Sequence, residues 1–319
     1  RLNGVSVRYG QAAGNASVGD ATTQGGGLHT EGVPFTILNS SFLENKAGRG
    51  GAIYASGDAA KVVLSGVNLS GNTAMEIAGN STGYGGAVYL AGDAELEAYN
   101  TLWANNEAGG GAAIALYNGK PSVYLVNNTL ARNKANGEGG ATLKPLIAGH
   151  TLTENNTEIK VYNSILWGNE VDNLFPADGT IQLDVKYSGS DTEAFKTLVG
   201  EGANKNILLN AVNNTLTGPY FGSPTEQAGA AGYMPGADWG LRTLSAVVDA
   251  GNTDVYKLKD ETEGITLPTD EYMQYADKEK SYMKRVDFPS ESTDANRSKW
   301  IDMGVYEYQY TGLAAADVL

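Results

Sequence analysis

The chain has 319 residues, with 22 Lys+Arg against 36 Asp+Glu and a net charge of −14, a field that repels phosphate backbones and argues against a nucleic-acid partner. It is 41% hydrophobic and 18% charged, enough to fill a core, and the absence of cysteine excludes a disulfide framework, a thiolate metal site and a thiol nucleophile. No apolar run approaches the ~18 residues needed to span a bilayer, so the chain is not expected to cross a membrane as a helix.

The chain begins Arg1-Leu2-Asn3, which reads as the interior of a coil, so a further N-terminal domain or coil is expected before it. From there an internal repeat governs the sequence. GGGLH at 25–29, GGAIY at 50–54, GGAVY at 85–89, GAAIA at 111–115 and GGATL at 139–143 recur at intervals of 25, 35, 26 and 28 residues. Between them stand segments ending at Asn45, Asn72, Asn106, Asn133 and Asn169, such as NSSFLEN, NTLWANN and NSILWGN. GVSVRYG, ending at Gly10, is a diverged copy.

Ten and eight positions before each terminal Asn lie Phe35/Ile37, Val62/Leu64, Leu96/Ala98, Val123/Leu125 and Ile159/Val161. A period of two marks strands with one buried face. Asn39, Gly66, Asn100, Asn127 and Asn163 follow. These two residue types tolerate a left-handed backbone best, so each strand turns there. Val7, Phe42, Leu69, Trp103, Leu130 and Leu166 are then predicted to form one inward stack. A strand–corner–strand unit cannot bury its apolar face alone and must stack on its copies, each rung ~4.8 Å above the last. The predicted fold is all-β: a right-handed parallel β-helix solenoid with a less regular C-terminal cap. Asn39, Asn100, Asn127 and Asn163 are expected to share a corner column as a structural ladder.

The asparagine corners and GGAIY-type strands resemble right-handed parallel β-helices of the pectin-lyase-like class, and GGAIY with FLEN is similar to repeats of bacterial polymorphic outer-membrane proteins. Asn204 to Ile207, WGLRTLSAVVDAGN at 239–252 and IDMGVYEYQ at 301–309, with NSILWGN, resemble the β-helix domain of choice-of-anchor Q surface proteins, common in Bacteroidetes. That resemblance implies a secreted or bacterial cell-surface protein and brings no established catalytic residues.

After Asn169 the repeat weakens, and the domain reading is a parallel β-helix over 1–254, with regular coils to 170 and diverged coils over 171–254. A charged insertion and capping segment follows over 255–319. Ile181–Gly189 reads as a strand, Ile207–Leu209 and Leu244–Val248 as edges of further coils. Pro268 to Glu271 reads as a helix start, and Val305–Tyr308 as a closing strand.

Chemistry is sparse. The two histidines, His29 and His150, lie in no nucleophile motif; His29 reads as a surface residue and His150 as part of an irregular stretch over 144–157. Polysaccharide cleavage on a β-helix calls for carboxylates on neighbouring rungs. The outward column Thr36, Val63, Glu97, Tyr124, Lys160 holds one carboxylate, so the candidates are Asp58 and Asp93 in paired Gly-Asp turns, with turn capping as the competing reading. Asp249 and Asp302 are candidate Ca²⁺ ligands, with turn capping again the alternative; no other cofactor is expected. If Ile53, Val88 and Ile114 point inward, His29, Tyr54 and Tyr89 face outward as an aromatic strip suited to sugar rings, the opposite phase being half-buried packing. The functional expectation is therefore a non-catalytic module for adhesion or glycan binding, with a polysaccharide or cell-surface protein as partner. A carbohydrate-active lyase or hydrolase using Asp58 and Asp93 is the alternative, and a structural spacer the third reading.

Overall fold

In the computed structural model, residues 1–12, 21–76, 82–137, 144–152, 157–176, 181–199, 205–209, 218–242, 245–247, 250–252, 300–301 and 303–305 are described. Their strands form four parallel sheets in which each strand pairs with its counterpart in the coils before and after it. The solenoid read from the repeat is what the chain builds.

One coil shows how the sequence turns. Lys61–Ser65 lies in the first sheet, a seven-stranded one, and Gly66 turns the chain with φ 62°. Asn68–Ser70 enters the eight-stranded second sheet, Gly71 turns it again with φ 67°, and Thr73–Ala74 adds to the third. Val88–Ala91 then pairs in the fourth sheet between Ile53–Ser56 and Ile114–Tyr117.

Asn39, Asn100, Asn127 and Asn163 occupy the first corner with φ of 45°, 47°, 55° and 49°, as their spacing predicts. The interior is equally regular. Val7, Phe42, Leu69, Trp103, Leu130 and Leu166 are in direct register, and the last five are fully buried. Ile53, Val88, Ile114 and Ile147 stack opposite them, also fully buried.

The double glycines have two separate jobs. Gly50 and Gly85 are left-handed, with φ of 63° and 73°. Gly51 and Gly86 have no room: a Cβ on Gly86 would lie 2.2 Å from the Ala112 carbonyl oxygen of the next coil.

Two readings are corrected. The fifth copy of the GGAIY strand is not GGATL at 139–143, which lies outside the described residues, but Ile147–His150, which pairs with Ile114–Tyr117. His150 thus belongs to a sheet rather than an irregular stretch. Second, residues 221–241 do not continue the stack: Phe221–Ser223 pairs antiparallel with Asp238–Leu241. This hairpin packs on the outer face of the second sheet, where Phe221 lies 5.8 Å from the Trp167 ring and 5.3 Å from the Trp239 ring.

Ile181–Lys186 and Ile207–Leu208 do extend the first and second sheets. Leu244, Val248, the helix start at Pro268 and Tyr306–Tyr308 fall outside the described residues. No helix among the described residues is long and apolar enough to cross a membrane.

Candidate binding site

The fourth sheet presents two outward columns. The first runs His29, Tyr54, Tyr89, Ala115, Ala148, and the second Glu31, Ser56, Ala91, Tyr117, His150. Bulk changes column partway along: rings fill the first in the early coils and the second in the later coils, while Ala115 and Ala148 leave space beside Tyr117 and His150. A third row comes from the stacked bridges of Gln24, Arg49, Tyr84 and Gly110 at the neighbouring turn. Between these rows lies a cavity of about 470 Å³, lined among others by Arg49, Tyr54, Tyr84, Tyr89, Tyr117 and His150.

The rings form one continuous cluster. Tyr54 and Tyr89 stack nearly parallel at 5.4 Å, His29 meets the edge of Tyr54 at 4.9 Å, and Tyr117 lies 6.0 Å from Tyr89. His150 closes it, 5.6 Å from Tyr117 and 5.1 Å from Tyr84. With five coils at ~4.8 Å per step the cluster extends ~19 Å along the solenoid.

The expected strip of His29, Tyr54 and Tyr89 is therefore placed differently in its parts. All three point outward, but Tyr54 and Tyr89 are only 8% and 5% exposed because each ring covers the other. They form a floor rather than a platform. His29 is exposed and lies beside the cavity, touching it only through Tyr54. The accessible rings are Tyr84, Tyr117 and His150, which the repeat alone did not single out. His150 was hidden by the misplaced fifth copy, and Tyr84 by its position on an insertion; the outward phase of Tyr117, three residues after Ile114, was the available signal.

Electrostatics distinguish this cavity from the rest of an acidic chain. Burial pushes the Tyr54 and Tyr89 hydroxyls up, so both are neutral donors at any physiological pH. Burial and the charge of Arg49 hold the His150 imidazole below its ordinary value. Arg49 is 7% exposed, with its guanidinium carbon 5.3 Å from the Tyr84 ring centre and 5.8 Å from that of Tyr89. Among the described residues of the lining it is the only permanently charged one, and no carboxylate is among them.

The candidate carboxylates lie elsewhere. Asp58 and Asp93 are exposed at turns that stack through Gly57 and Gly92, and Asp93 Oδ1 accepts the Lys120 backbone N–H of the following coil at 2.9 Å. That is turn capping, outside the cavity. Glu97 does face outward, but it is 4% exposed and engaged by Lys61 Nζ at 2.6 Å and the Tyr99 hydroxyl at 3.1 Å. Asp249 and Asp302 fall outside the described residues, and among the described residues no group of three or more His, Asp or Glu is placed to hold a metal ion.

The longest hydrogen-bonded ladder is not at the Asn39 corner but six residues on. Asn45, Asn72, Asn106, Asn133 and Asn169 form an unbroken chain in which each Nδ2 donates to the next Oδ1 at 2.9–3.0 Å. Each Oδ1 from Asn72 onward also takes the backbone N–H of the preceding Asn, and each Nδ2 a carbonyl of the coil below. The asparagines used to mark the repeat are thus themselves its hydrogen-bonded spine.

Compared with known proteins, the chain matches no protein-family model, no curated protein and no solved structure. Function must be argued from the cavity itself.

Proposed function

We propose that the protein is a non-catalytic carbohydrate-binding β-helix, displayed on a bacterial surface or secreted, whose fourth sheet holds a saccharide chain in the aromatic cavity. One observation supports this above others: three accessible rings, Tyr84, Tyr117 and His150, surround a cavity floored by two further tyrosines on a rigid parallel sheet. Sugar rings have apolar faces and polar edges, and such a wall offers both contacts. Rigidity favours binding, because register fixes the side chains before the ligand arrives.

The lining suits binding better than cleavage. Hydrolysis by paired carboxyls needs two of them ~5 Å or ~6.5–9.5 Å apart, and the described residues of the lining supply none. Adhesion through surface glycans is the role this chemistry favours.

The test is a glycan array followed by titration calorimetry with the best ligand. Tyr117→Ala is expected to weaken binding at least tenfold, about 1.4 kcal/mol, with no product formed from the ligand. Unchanged affinity in Tyr117→Ala, or turnover abolished by Asp93→Asn, overturns the reading.

A further inference from the structure

Arg49 is a buried cation whose charge no described neighbour balances. Its Nη1 donates to the carbonyl oxygens of Gly48 at 3.0 Å and of Thr82, and the guanidinium lies against the Tyr84 and Tyr89 rings. These partners are neutral dipoles. Among the described residues no carboxylate forms an ion pair with it: Glu31, one coil away in the second column beside Ser56, is not within ion-pair reach and does not line the cavity. A buried charge held only by dipoles and ring faces is expensive unless a counter-charge joins it.

The setting also exposes part of that charge to the cavity. A guanidinium has five N–H donors in one plane, and carbonyl contacts by Nη1 fix that plane beside Tyr84 and Tyr89. The cavity therefore has one cationic wall in a chain of net charge −14. Local and global charge have opposite sign, so a ligand that merely tolerated the protein's surface would not be anionic.

We infer that the cavity selects an acidic saccharide, placing a carboxylate or sulfate against Arg49 while its rings lie along Tyr84, Tyr117 and His150. The planar fork of arginine matches either anion in a bidentate manner. Tyr89, on the floor, and Tyr84 flank the guanidinium. The inference rests on the carbohydrate reading above and adds the charge of the ligand to it.

The experiment compares three probes on the intact chain by calorimetry: a uronic-acid oligosaccharide, the same oligosaccharide with its carboxyls reduced to alcohols, and a sulfated oligosaccharide. The expected result is at least tenfold tighter binding of one acidic probe than of the reduced one. Whichever acid binds tighter identifies the anion. Arg49→Gln is expected to remove the preference while leaving weak binding of the reduced probe, and Arg49→Lys to restore it in part. Because the wild-type comparison needs no variant, poor folding of Arg49→Gln does not blunt the test. Equal binding of acidic and reduced probes overturns the anion inference and leaves the carbohydrate reading standing. Binding of none of the three overturns both.

Discussion

At the residue scale the asparagines divide into two kinds by what they supply. Asn127 supplies a backbone: at φ 55° it stands where other L-residues are strained by about 1–2 kcal/mol. Asn106 supplies an amide: fully buried, it accepts from Asn72 through Oδ1 and donates from Nδ2 to Asn133 and to the Leu69 carbonyl. The two should respond differently to substitution. Asn127→Gly is expected to be milder than Asn127→Ala by about 1 kcal/mol, since glycine keeps the left-handed corner. Asn106→Ala should cost at least about 3 kcal/mol, because several buried groups lose their partners together, and Asn106→Gly should be no better. Chemical denaturation measures both; equal losses for the glycine and alanine variants at position 127 would refute the distinction. His150 offers a further residue-scale check. Its imidazole is held below its ordinary value by burial and Arg49, so it takes up a proton at lower pH than an unperturbed histidine. Binding of an acidic saccharide should therefore tighten between pH 7 and 5 in the wild type and lose that dependence in His150→Asn.

At the scale of elements, the outer hairpin explains a feature that a repeat cannot. Asn105 Nδ2 donates to the carbonyls of Gln227 and Gly229, and Arg132 Nε to that of Thr225. Glu107 accepts from the Ala230 backbone N–H, and the Tyr233 ring approaches Gly71 so closely that a Cβ there would lie 2.9 Å from it. The segment thus runs back along the second corner from the coil of Arg132 to that of Gly71, tying successive coils from outside. Its anchor Arg132 stacks over Trp167 at 4.4 Å and faces Asp191, whose Oδ2 accepts the Gly168 N–H at 2.9 Å. Burial pushes the Asp191 carboxyl up to about 6, against the arginine's opposing influence. The folded chain therefore binds this proton more tightly than the unfolded chain, and the stability it contributes is complete below about pH 4 and lost as pH rises through 6. Asp191→Asn keeps an acceptor for Gly168 without the charge. It should raise stability at pH 7 by up to about 3 kcal/mol, less whatever solvent screening reaches the site, and flatten the profile between pH 4 and 6. Melting curves at pH 4, 5, 6 and 7 measure this; a lower melting temperature for the variant at pH 7 would contradict it.

At the scale of the whole molecule, the solenoid was legible because a stacked fold writes itself into the sequence once per coil. Period-two apolar pairs, Asn or Gly corners and terminal asparagines recur because identical environments recur. Legibility failed where a coil departed from the pattern. GGATL resembled its predecessors more than Pro145–Ala148 did, yet it is the latter whose Ile147 continues the core beside Ile114. The hairpin over 221–241 fell within the stretch read as diverged coils, and nothing in the spacing of Phe221 and Trp239 says that they cover an outer face. The cavity was half visible. Tyr54 and Tyr89 follow from the phase of Ile53 and Val88, whereas Arg49, Tyr84 and His150 join them only through stacking of turns 25 to 36 residues apart.

With only two histidines in the chain, imidazole NMR locates ligand binding directly. His150 lines the cavity and His29 stands outside it, so titration with the saccharide that binds tightest is expected to shift the His150 resonances and leave those of His29 near their free positions. Saturable binding that moves His29 alone, or neither imidazole, would place the ligand elsewhere and contradict the account.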